Sequence, residues 1–475
     1  MSRHDAPVHR FQLILIIAVI PFIVAATVFA AEAPPGKGLL IVAPERFHAA
    51  LGDFVRHKRT LLPAELVSLE SVLKSSSGVD DPERLKRFLF AAWREKKLGY
   101  ALLVGDADVL PVRYMVLDRV TPAAFDYAFY PSDLYYADLA KQDNPQAFDD
   151  WNAHKEDFHA GYFGEVRGEK NKGEPINYDA VDYRPDIAVG RWPVSTAAEA
   201  ETVAAKTLAY EKAILAGSAP GLRRAVLLCV SGWVESRPRM DAVAQMLPQN
   251  WSVEKRYFAD AKRNDNTPPP NEEQLVALLN DGVGVVCHAG HGNDNAWEKC
   301  FSTATLPRLK NADRLPVMIS IGCSTARFAT LPPYEPYMDV NGVQHEGTDS
   351  KKEVFKEPPP PPAVYQSGRN NPTGLGEQLL RRGPAGAVAY IGCNTGSQPC
   401  ALTLLDGFVN ALGKAKTPRL GDCWAQAIVY YYDKEHLAAL KPDAGWYPPS
   451  IFFQGMKFML FGDPSLRMPA SEIKP

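Results

Sequence analysis

The chain has 475 residues, of which 46% are hydrophobic and 10% aromatic, which is more apolar material than a disordered protein carries. Its 52 Lys and Arg residues nearly balance 55 Asp and Glu residues, for a formal net charge of −3 at pH 7. Because a nucleic-acid interface needs a surplus of basic residues on one face, this balance argues against a nucleic-acid partner.

An apolar run covers residues 13–31 and is preceded by Arg3 and Arg10. Its length lies between that of a signal-peptide core and that of a membrane-spanning helix, and Pro21 interrupts it. Small residues at its end suit a signal peptidase. We predict a signal peptide over residues 1–31, with a retained N-terminal membrane anchor as the alternative. In both cases the rest of the chain is exported, to the periplasm, the cell surface or the medium.

Short apolar runs rich in Val, Ile and Leu recur along the chain, with amphipathic segments between them. Such runs are typical of strands buried on both faces of a parallel sheet. Two intervening segments predict helices, 82–95 by apolar spacing and 197–215 by the T-x-x-E capping box of Thr196 and Glu199. The alternation predicts an α/β fold with mainly parallel sheets. The predicted strands are residues 39–43, 100–104, 186–189, 225–230, 283–287, 317–321 and 387–391.

The chain is longer than a usual single domain, so we predict two α/β halves. Gly, Pro and small residues at 216–222 mark the boundary between an N-terminal subdomain over 36–220 and a C-terminal subdomain over 221–470. Two stretches interrupt the alternation and predict surface insertions or long loops. They are the polar, acidic segment 141–184 and the Pro-rich segment 332–373.

Two of the predicted strands run into residues that could carry chemistry. One leads to His291 and the other to Cys323, and glycines flank both. Because the carboxyl ends of parallel strands meet at one edge of a sheet, both side chains could face one substrate. An imidazole can favour the thiolate of a cysteine and can then protonate a leaving amine. The glycines would let a substrate approach and leave N–H groups free to stabilise an oxyanion.

Other interpretations of these residues stay open. His288 and His291 form an H-x-x-H pair that could bind a metal, although an extended strand would point the two side chains to opposite faces. Trp297 is either a packing residue or the wall of a pocket. Cys393 and Cys400 flank a Gly/Ser/Pro turn and could form a disulfide in an oxidising compartment. The seven cysteines also leave at least one thiol unpaired within the chain.

The same residues resemble the gingipain-type cysteine peptidases, relatives of caspases and legumains. The resemblance rests on the histidine and cysteine motifs, which are separated by 32 residues, and it covers roughly residues 39–468. The site motifs are Gly290-His291-Gly292 and Cys323-x-x-Ala326-x-Phe328. Further motifs in family order are Val104-Gly105-Asp106, Ser132-Asp133-Leu134-Tyr135-Tyr136, Val189-Gly190-Arg191 and Phe461-Gly462-Asp463-Pro464-Ser465-Leu466.

The resemblance implies two caspase-like, three-layer α/β subdomains with the site in the C-terminal one. It implies Cys323 as the nucleophile, His291 as the general acid/base, and the backbone N–H groups of Gly292 and Cys323 as the oxyanion hole. The resemblance also implies that the substrates are proteins or peptides and that peptide-bond cleavage needs no cofactor. Contact with a membrane would come only from an N-terminal anchor.

The chain departs from the family pattern after the strand at 225–230. Gingipains carry acidic residues there, whereas here the nearest carboxylates are Glu235 and Asp241, through a loose alignment. We predict a supporting acid or pocket role for them and do not carry over specificity for Arg or Lys. Residues 149–165 are similar to the acidic loops in which such peptidases bind calcium. Lys155 and two histidines dilute the negative charge, so a solvated loop is favoured and structural calcium is the alternative.

These observations predict an exported cysteine endopeptidase that forms an acyl-enzyme. The rival is a non-catalytic surface or assembly protein that has retained the scaffold, suggested by the poorly matched segment 233–241 and the diverged insertion at 332–373. A third reaction, peptide ligation, would use the same Cys-His pair and differ only in its products.

Overall fold

The computed structural model describes most of the chain after the predicted signal peptide. That peptide lies outside the described residues, apart from Met1. Among the residues that are described, no helix combines the length and the apolar character needed to cross a bilayer. The described residues are 1, 37–118, 128–155, 161–263, 266–366 and 374–469.

Ten strands form one mixed, mainly parallel sheet in the order β6-β5-β7-β8-β9-β10-β4-β3-β1-β2. Neighbouring strands are parallel everywhere except between β9 and β10. The sheet therefore consists of two parallel blocks that run in opposite directions. The strands are β1 (Gly38–Ala43), β2 (Ala64–Ser68), β3 (Leu98–Val104), β4 (Ala188–Trp192), β5 (Arg224–Cys229), β6 (Ser252–Tyr257), β7 (Val285–Ala289), β8 (Val317–Ser320), β9 (Ala389–Cys393) and β10 (Phe458–Phe461).

Helices cover both faces of this sheet. In the described part of the chain they are α1 (Gly52–Arg59), α2 (Leu69–Ser75), α3 (Asp81–Lys96), α4 (Leu134–Ala137), α5 (Ala197–Leu215), α6 (Arg237–Met246), α7 (Glu272–Asp281), α8 (Leu375–Arg381), α9 (Leu402–Lys414), α10 (Leu420–Lys434) and α11 (Tyr447–Gln454). Small antiparallel sheets lie outside the main one, and their strands are Tyr114–Val116 with Phe129–Pro131, Ala140–Lys141 with Asn144–Phe148, Gly292–Asn293 with Ala296–Trp297 and Phe301–Ser302, and Tyr337–Met338 with Gln344–His345.

Alternate residues of each strand contribute to two separate hydrophobic cores, one on each face of the sheet. In β1, Leu40 and Val42 belong to the core that α3, α9 and α10 cover, whereas Leu39 and Ile41 belong to the core that α1, α5 and α8 cover. This division follows from the two-residue period of a strand. Because both faces are buried, the strand sequences are continuously apolar.

All seven predicted strands are present, and no end is shifted by more than three residues. The predicted helices are confirmed as α3 and α5, and α5 begins with both hydrogen bonds of its capping box. Three strands of the sheet were not predicted. β2 and β6 lie at the edges of the sheet and mix polar with apolar residues, and β10 has only four residues.

The segment 141–184 is largely irregular, as predicted, but it is not confined to the surface. Trp151 and Tyr183 are fully buried, and the Trp151 indole donates a hydrogen bond to the Asp138 carboxylate at 2.8 Å. The Pro-rich segment is similar, since Tyr337 is buried and its hydroxyl donates to the Pro360 carbonyl at 3.0 Å. Large aromatic side chains draw both segments inward because their burial is favourable.

Arg191 lies on β4, the neighbour of β10 within the second block of the sheet. Its buried guanidinium binds both carboxylate oxygens of Asp133 at 2.7 Å and the Gly105 carbonyl at 2.9 Å. Its carbonyl accepts the N–H of Gly462 at 2.9 Å, and β10 pairs with β4 at Phe461. The sequence motifs recognised outside the predicted site thus converge on Arg191. The division into two subdomains near residue 220 stays a prediction.

We expect Arg191→Met to lower the free energy of unfolding by about 3–5 kcal/mol, because it leaves the Asp133 carboxylate buried without its counter-charge. Urea unfolding would measure the loss. The matched control is Lys96→Met, which removes an ion pair with Glu65 whose two side chains are each about half exposed. That change should cost no more than about 1 kcal/mol. Equal effects of the two substitutions would contradict the central role of Arg191.

Candidate active site

Strands β7 and β8 bring the histidine and cysteine motifs to the same level of the sheet. His288 of β7 is the register partner of Ser320 of β8, and the Ile321 N–H donates to the His288 carbonyl at 2.9 Å. His291 and Cys323 each follow these partners by three residues. The parallel register therefore carries both to one edge of the sheet.

Glycines allow the two segments to touch through their backbones. A Cβ atom added to Gly322 would lie 3.0 Å from both the N and Cα atoms of Gly292. A Cβ atom added to Gly292 would lie 3.0 Å from the Cys323 carbonyl oxygen. Because such distances are shorter than ordinary carbon contacts, side chains at these positions would push the segments apart. The structure thus brings the two motifs together.

Cys323 lies in a turn directly after β8, and its side chain is partly exposed. Its Sγ accepts the backbone N–H of Ser397 at 3.3 Å. The next residue, Ser324, has a φ of +56°, which turns the chain sharply away from the strand. The loop after β9 is therefore part of the site, although the sequence analysis missed it. The signal available was a Gly/Ser turn following the strand that neighbours β8.

The other six cysteines are buried, and none of the seven forms a disulfide. Burial raises the pKa of five of these thiols, Cys229, Cys287, Cys300, Cys393 and Cys423, to about 12, and it also raises the pKa of Cys400. The disulfide considered between Cys393 and Cys400 is absent. Cys393 faces the Gln454 amide, whereas Cys400 lies beside the Tyr431 and Tyr447 hydroxyls.

His291 is exposed, and its Nε2 lies 2.8 Å from the carbonyl oxygen of Gly232. A carbonyl can only accept a hydrogen bond, so Nε2 carries the proton and the neutral ring keeps its lone pair on Nδ1. Gly232 has a φ of +96°, a conformation that glycine adopts easily. Sequence reasoning missed this partner because a backbone carbonyl leaves no mark in a side-chain pattern.

The two carboxylates considered as supporting acids are occupied by basic side chains. Glu235 accepts the Arg237 Nε–H at 2.8 Å, and hydrogen bonds from that guanidinium lower the pKa of the Glu235 carboxyl. Asp241 accepts from Lys255 at 2.7 Å and from Arg263 at 2.6 Å. The imidazole of the candidate histidine instead bonds to a backbone carbonyl.

His288 and Trp297 lie beneath the two motifs and are fully buried. The imidazole stacks on the indole with ring centroids 4.8 Å apart and planes 5° apart, and its Nδ1 lies 2.9 Å from the Ser320 Oγ. Burial lowers the pKa of His288 to about 3. His288 is therefore neutral near pH 7, and Trp297 is a packing residue rather than the wall of an open pocket.

The two histidines of the H-x-x-H pair lie in different environments, with His288 in the interior and His291 at the surface. Across the described ranges, no group of three or more His, Cys, Asp or Glu side chains is arranged to hold a metal ion. Part of the acidic stretch 149–165, residues 156–160, lies outside those ranges. In the described part Asp149 accepts from Lys141 at 2.5 Å and Asp150 from Lys155 at 2.8 Å. Calcium binding stays a prediction.

Comparison with known proteins points to a single family. The model of Peptidase family C25 matches residues 32–469. An uncharacterised protein of Archaeoglobus fulgidus is 22% identical over 327 residues, which cover 62% of this chain and 67% of that protein.

Solved structures show the same fold. The Arg specific cysteine proteinase gingipain R superposes with a TM-score of 0.58 at 17% identity, over 92% of this chain and 79% of that one. In the complex of Porphyromonas gingivalis RgpB pro- and mature domains, the TM-score is 0.59 at 16% identity, over 92% and 81% of the two chains. At such low identity the likeness establishes the architecture alone.

The buried, neutral His288 should make stability fall in acid. Its pKa is about 3 in the folded protein and about 6.5 in an unfolded chain, so between these values only the unfolded state binds the proton. Stability is therefore retained above pH 6.5 and lost as the pH falls. From pH 6 to 4, we expect the wild type to lose roughly 1 kcal/mol more per pH unit than His288→Asn, as measured by urea unfolding.

His345 provides a control of opposite sign. Its ring is partly buried, but hydrogen bonds to Glu353 at 2.9 Å and Asp339 at 3.1 Å outweigh this and raise its pKa. Its contribution is present below pH 6.5 and lost as the pH rises through the folded-state value. His345→Asn should therefore remove stability mainly on the acid side. A wild-type acid slope in His288→Asn would show that His288 is not held neutral.

Proposed function

Because this chain belongs to peptidase family C25, the gingipain family of cysteine peptidases, we propose that it is a cysteine endopeptidase whose catalytic residues are Cys323 and His291. The register of β7 and β8 carries this proposal, since it holds a partly exposed thiol and an exposed imidazole on touching segments. The substrates are proteins or peptides, and the chemistry uses no cofactor.

The first half of the reaction makes a thioester. His291 Nδ1 takes the proton of the Cys323 thiol, and the resulting thiolate attacks the carbonyl carbon of the peptide. The carbonyl electron pair moves onto oxygen, where the N–H groups of Gly292 and Cys323 stabilise the oxyanion. As the carbonyl re-forms, the C–N bond breaks with its electron pair on nitrogen. His291 gives its proton to that nitrogen, and the amine leaves.

The second half restores the enzyme. Neutral His291 takes a proton from water, and the water oxygen attacks the thioester carbonyl carbon through a second oxyanion in the same place. The carbonyl then re-forms and the C–S bond breaks with its electron pair on sulfur, which takes the proton back from His291. The products are a carboxylic acid and the original Cys-His pair, so the net reaction is the hydrolysis of one peptide bond.

Backbone groups support both catalytic side chains. The Gly232 carbonyl holds the Nε2 proton of His291, which leaves Nδ1 to exchange protons. It takes the place that the sequence analysis assigned to a carboxylate at Glu235 or Asp241. The Ser397 N–H donates to the Cys323 sulfur at 3.3 Å and so holds the sulfur against the loop after β9.

We expect Cys323→Ala to lower hydrolysis of a mixed peptide library by at least about 10³-fold, because it removes the nucleophile. Iodoacetamide should modify Cys323 before any other residue, since the six remaining thiols are buried. Peptide mapping by mass spectrometry would locate the label, and the same library would reveal the residue preferred before the cleaved bond. Adding a peptide amine would separate hydrolysis from ligation by the masses of the products.

The matched control is Cys423→Ala, which truncates a buried thiol on α10 and should leave both labelling and turnover unchanged. Full turnover by Cys323→Ala would refute the assignment of the nucleophile. A folded wild-type protein that neither cleaves any peptide nor takes the label at Cys323 would favour the non-catalytic scaffold protein.

We also infer that the protein is exported, on the strength of the apolar run at residues 13–31 with basic residues before it. N-terminal sequencing of the protein recovered from its native cells should find a chain that begins close to residue 32. Recovery of a chain that begins at Met1 from the membrane fraction would support the anchor instead. The same chain in the cytosol would refute export.

A further inference from the structure

A fully buried polar network lies directly beneath the two catalytic motifs, and no sequence motif indicated it. It joins side chains from β7, β8, the turn after β8 and β9. Its members are His288, Ser320, Thr325 and Tyr390, and each has essentially no exposed surface. Buried polar groups are costly unless they are hydrogen-bonded, so such a cluster needs a physical reason.

Two of these hydroxyls hold Gly322 from both sides. The Ser320 Oγ accepts the Gly322 N–H at 3.1 Å, and the Thr325 hydroxyl donates to the Gly322 carbonyl at 3.3 Å. In a trans peptide, the carbonyl of one residue and the N–H of the next point in opposite directions. The bond from Thr325 therefore also sets the direction of the Cys323 N–H, which is a donor of the proposed oxyanion hole.

Gly322 needs such restraint because it must be glycine. A Cβ atom there would lie 3.0 Å from the Gly292 backbone, so any side chain would separate the two motifs. Glycine is the residue with the greatest backbone freedom, and an oxyanion donor is effective only when its direction is fixed before the reaction. The close approach of the two motifs thus requires a glycine at position 322, whereas a fixed direction of the oxyanion donor requires that the freedom of this glycine be restricted.

The remaining members orient the two hydroxyls. His288 Nδ1 lies 2.9 Å from the Ser320 Oγ, and its ring is held by stacking on Trp297. The Tyr390 hydroxyl accepts the Trp297 indole N–H at 2.8 Å and lies beside the Ser320 and Thr325 hydroxyls. All four side chains of the cluster are fully buried, so none of them can touch a substrate.

We propose that Ser320 and Thr325, supported by His288 and Tyr390, clamp Gly322 and so position the Cys323 N–H as an oxyanion donor. We call these four side chains the Gly322 clamp. They are positioning residues, and the inference rests on the proposed peptidase function. The clamp acts on the oxyanion and not on the thiolate, since among the described residues the hydrogen bonds of Ser320 and Thr325 reach neither the sulfur nor the His291 ring.

The rates of peptide hydrolysis and of thiol alkylation distinguish an effect on the oxyanion from an effect on the thiolate. Peptide hydrolysis passes through an oxyanion, whereas alkylation by iodoacetamide displaces iodide from carbon and forms none, so it reports only the thiolate. We expect Ser320→Ala and Thr325→Val to lower kcat by about 10-fold to 100-fold, with KM and the alkylation rate of Cys323 changed by less than about twofold. A peptide aldehyde, whose adduct oxygen occupies the oxyanion hole, should bind more weakly in proportion to the loss of kcat.

Two further variants complete the test. Thr325→Ser keeps the hydroxyl and should restore kcat to within a few-fold of the wild type. Thr207→Val removes an equally buried hydroxyl that donates to the Val203 carbonyl within α5, and it should change neither rate. Thermal unfolding of each variant would verify that the fold is retained.

The outcomes distinguish this inference from the proposed function. If the wild type cleaves peptides but both hydroxyl variants keep its kcat, the clamp is refuted while the peptidase stands. A parallel fall in hydrolysis and alkylation would refute it as well, because the effect would then lie on the thiolate or the fold. If the folded wild type cleaves no peptide, the proposed function fails and the clamp fails with it.

Discussion

The hydrogen-bonded register between β7 and β8 is the constraint on which the site depends. Each residue of a strand advances about 3.3 Å, so a slip of two residues would move Cys323 by about 6–7 Å relative to His291. A slip of one residue would exchange the two faces of a strand. Burial on both faces prevents either slip, because every apolar side chain of β7 and β8 already belongs to one of two packed cores. The hydrophobic effect thus sets the alignment of the polar residues that follow these strands.

The site has two layers: the candidate reactive side chains at the protein surface, and neutral polar side chains in the interior beneath them. Cys323 and His291 reach the surface, while His288 is held neutral in the interior and serves only as a hydrogen-bonding partner. Much of the support for the reactive groups comes from backbone atoms, including the carbonyl of Gly232 and the N–H of Ser397. Backbone donors and acceptors are rigid when their loops are packed, and they do not titrate.

The motifs outside the site serve the architecture. Arg191 of β4 binds Asp133 and Gly105, and its carbonyl accepts the N–H of Gly462, which directly follows the neighbouring strand β10. This ion pair is buried, so its partners depend on one another for their counter-charges. The family resemblance along the chain therefore reflects the way one sheet is assembled, while the proposed catalytic residues lie in two short segments after β7 and β8.

Local patterns in the sequence were sufficient for the α/β class, for α5 with its capping box, and for seven of the ten strands, because side-chain period and capping act within a few residues. They also singled out His291 and Cys323 as candidates. The edge strands β2 and β6 were not predicted because their half-polar sequences have no continuous apolar run. Only the tertiary structure shows that the Gly232 carbonyl, the Ser397 N–H and the residues of the Gly322 clamp lie next to His291 and Cys323. These contacts join atoms that are far apart in the chain or belong to the backbone, so no local pattern of side chains can predict them.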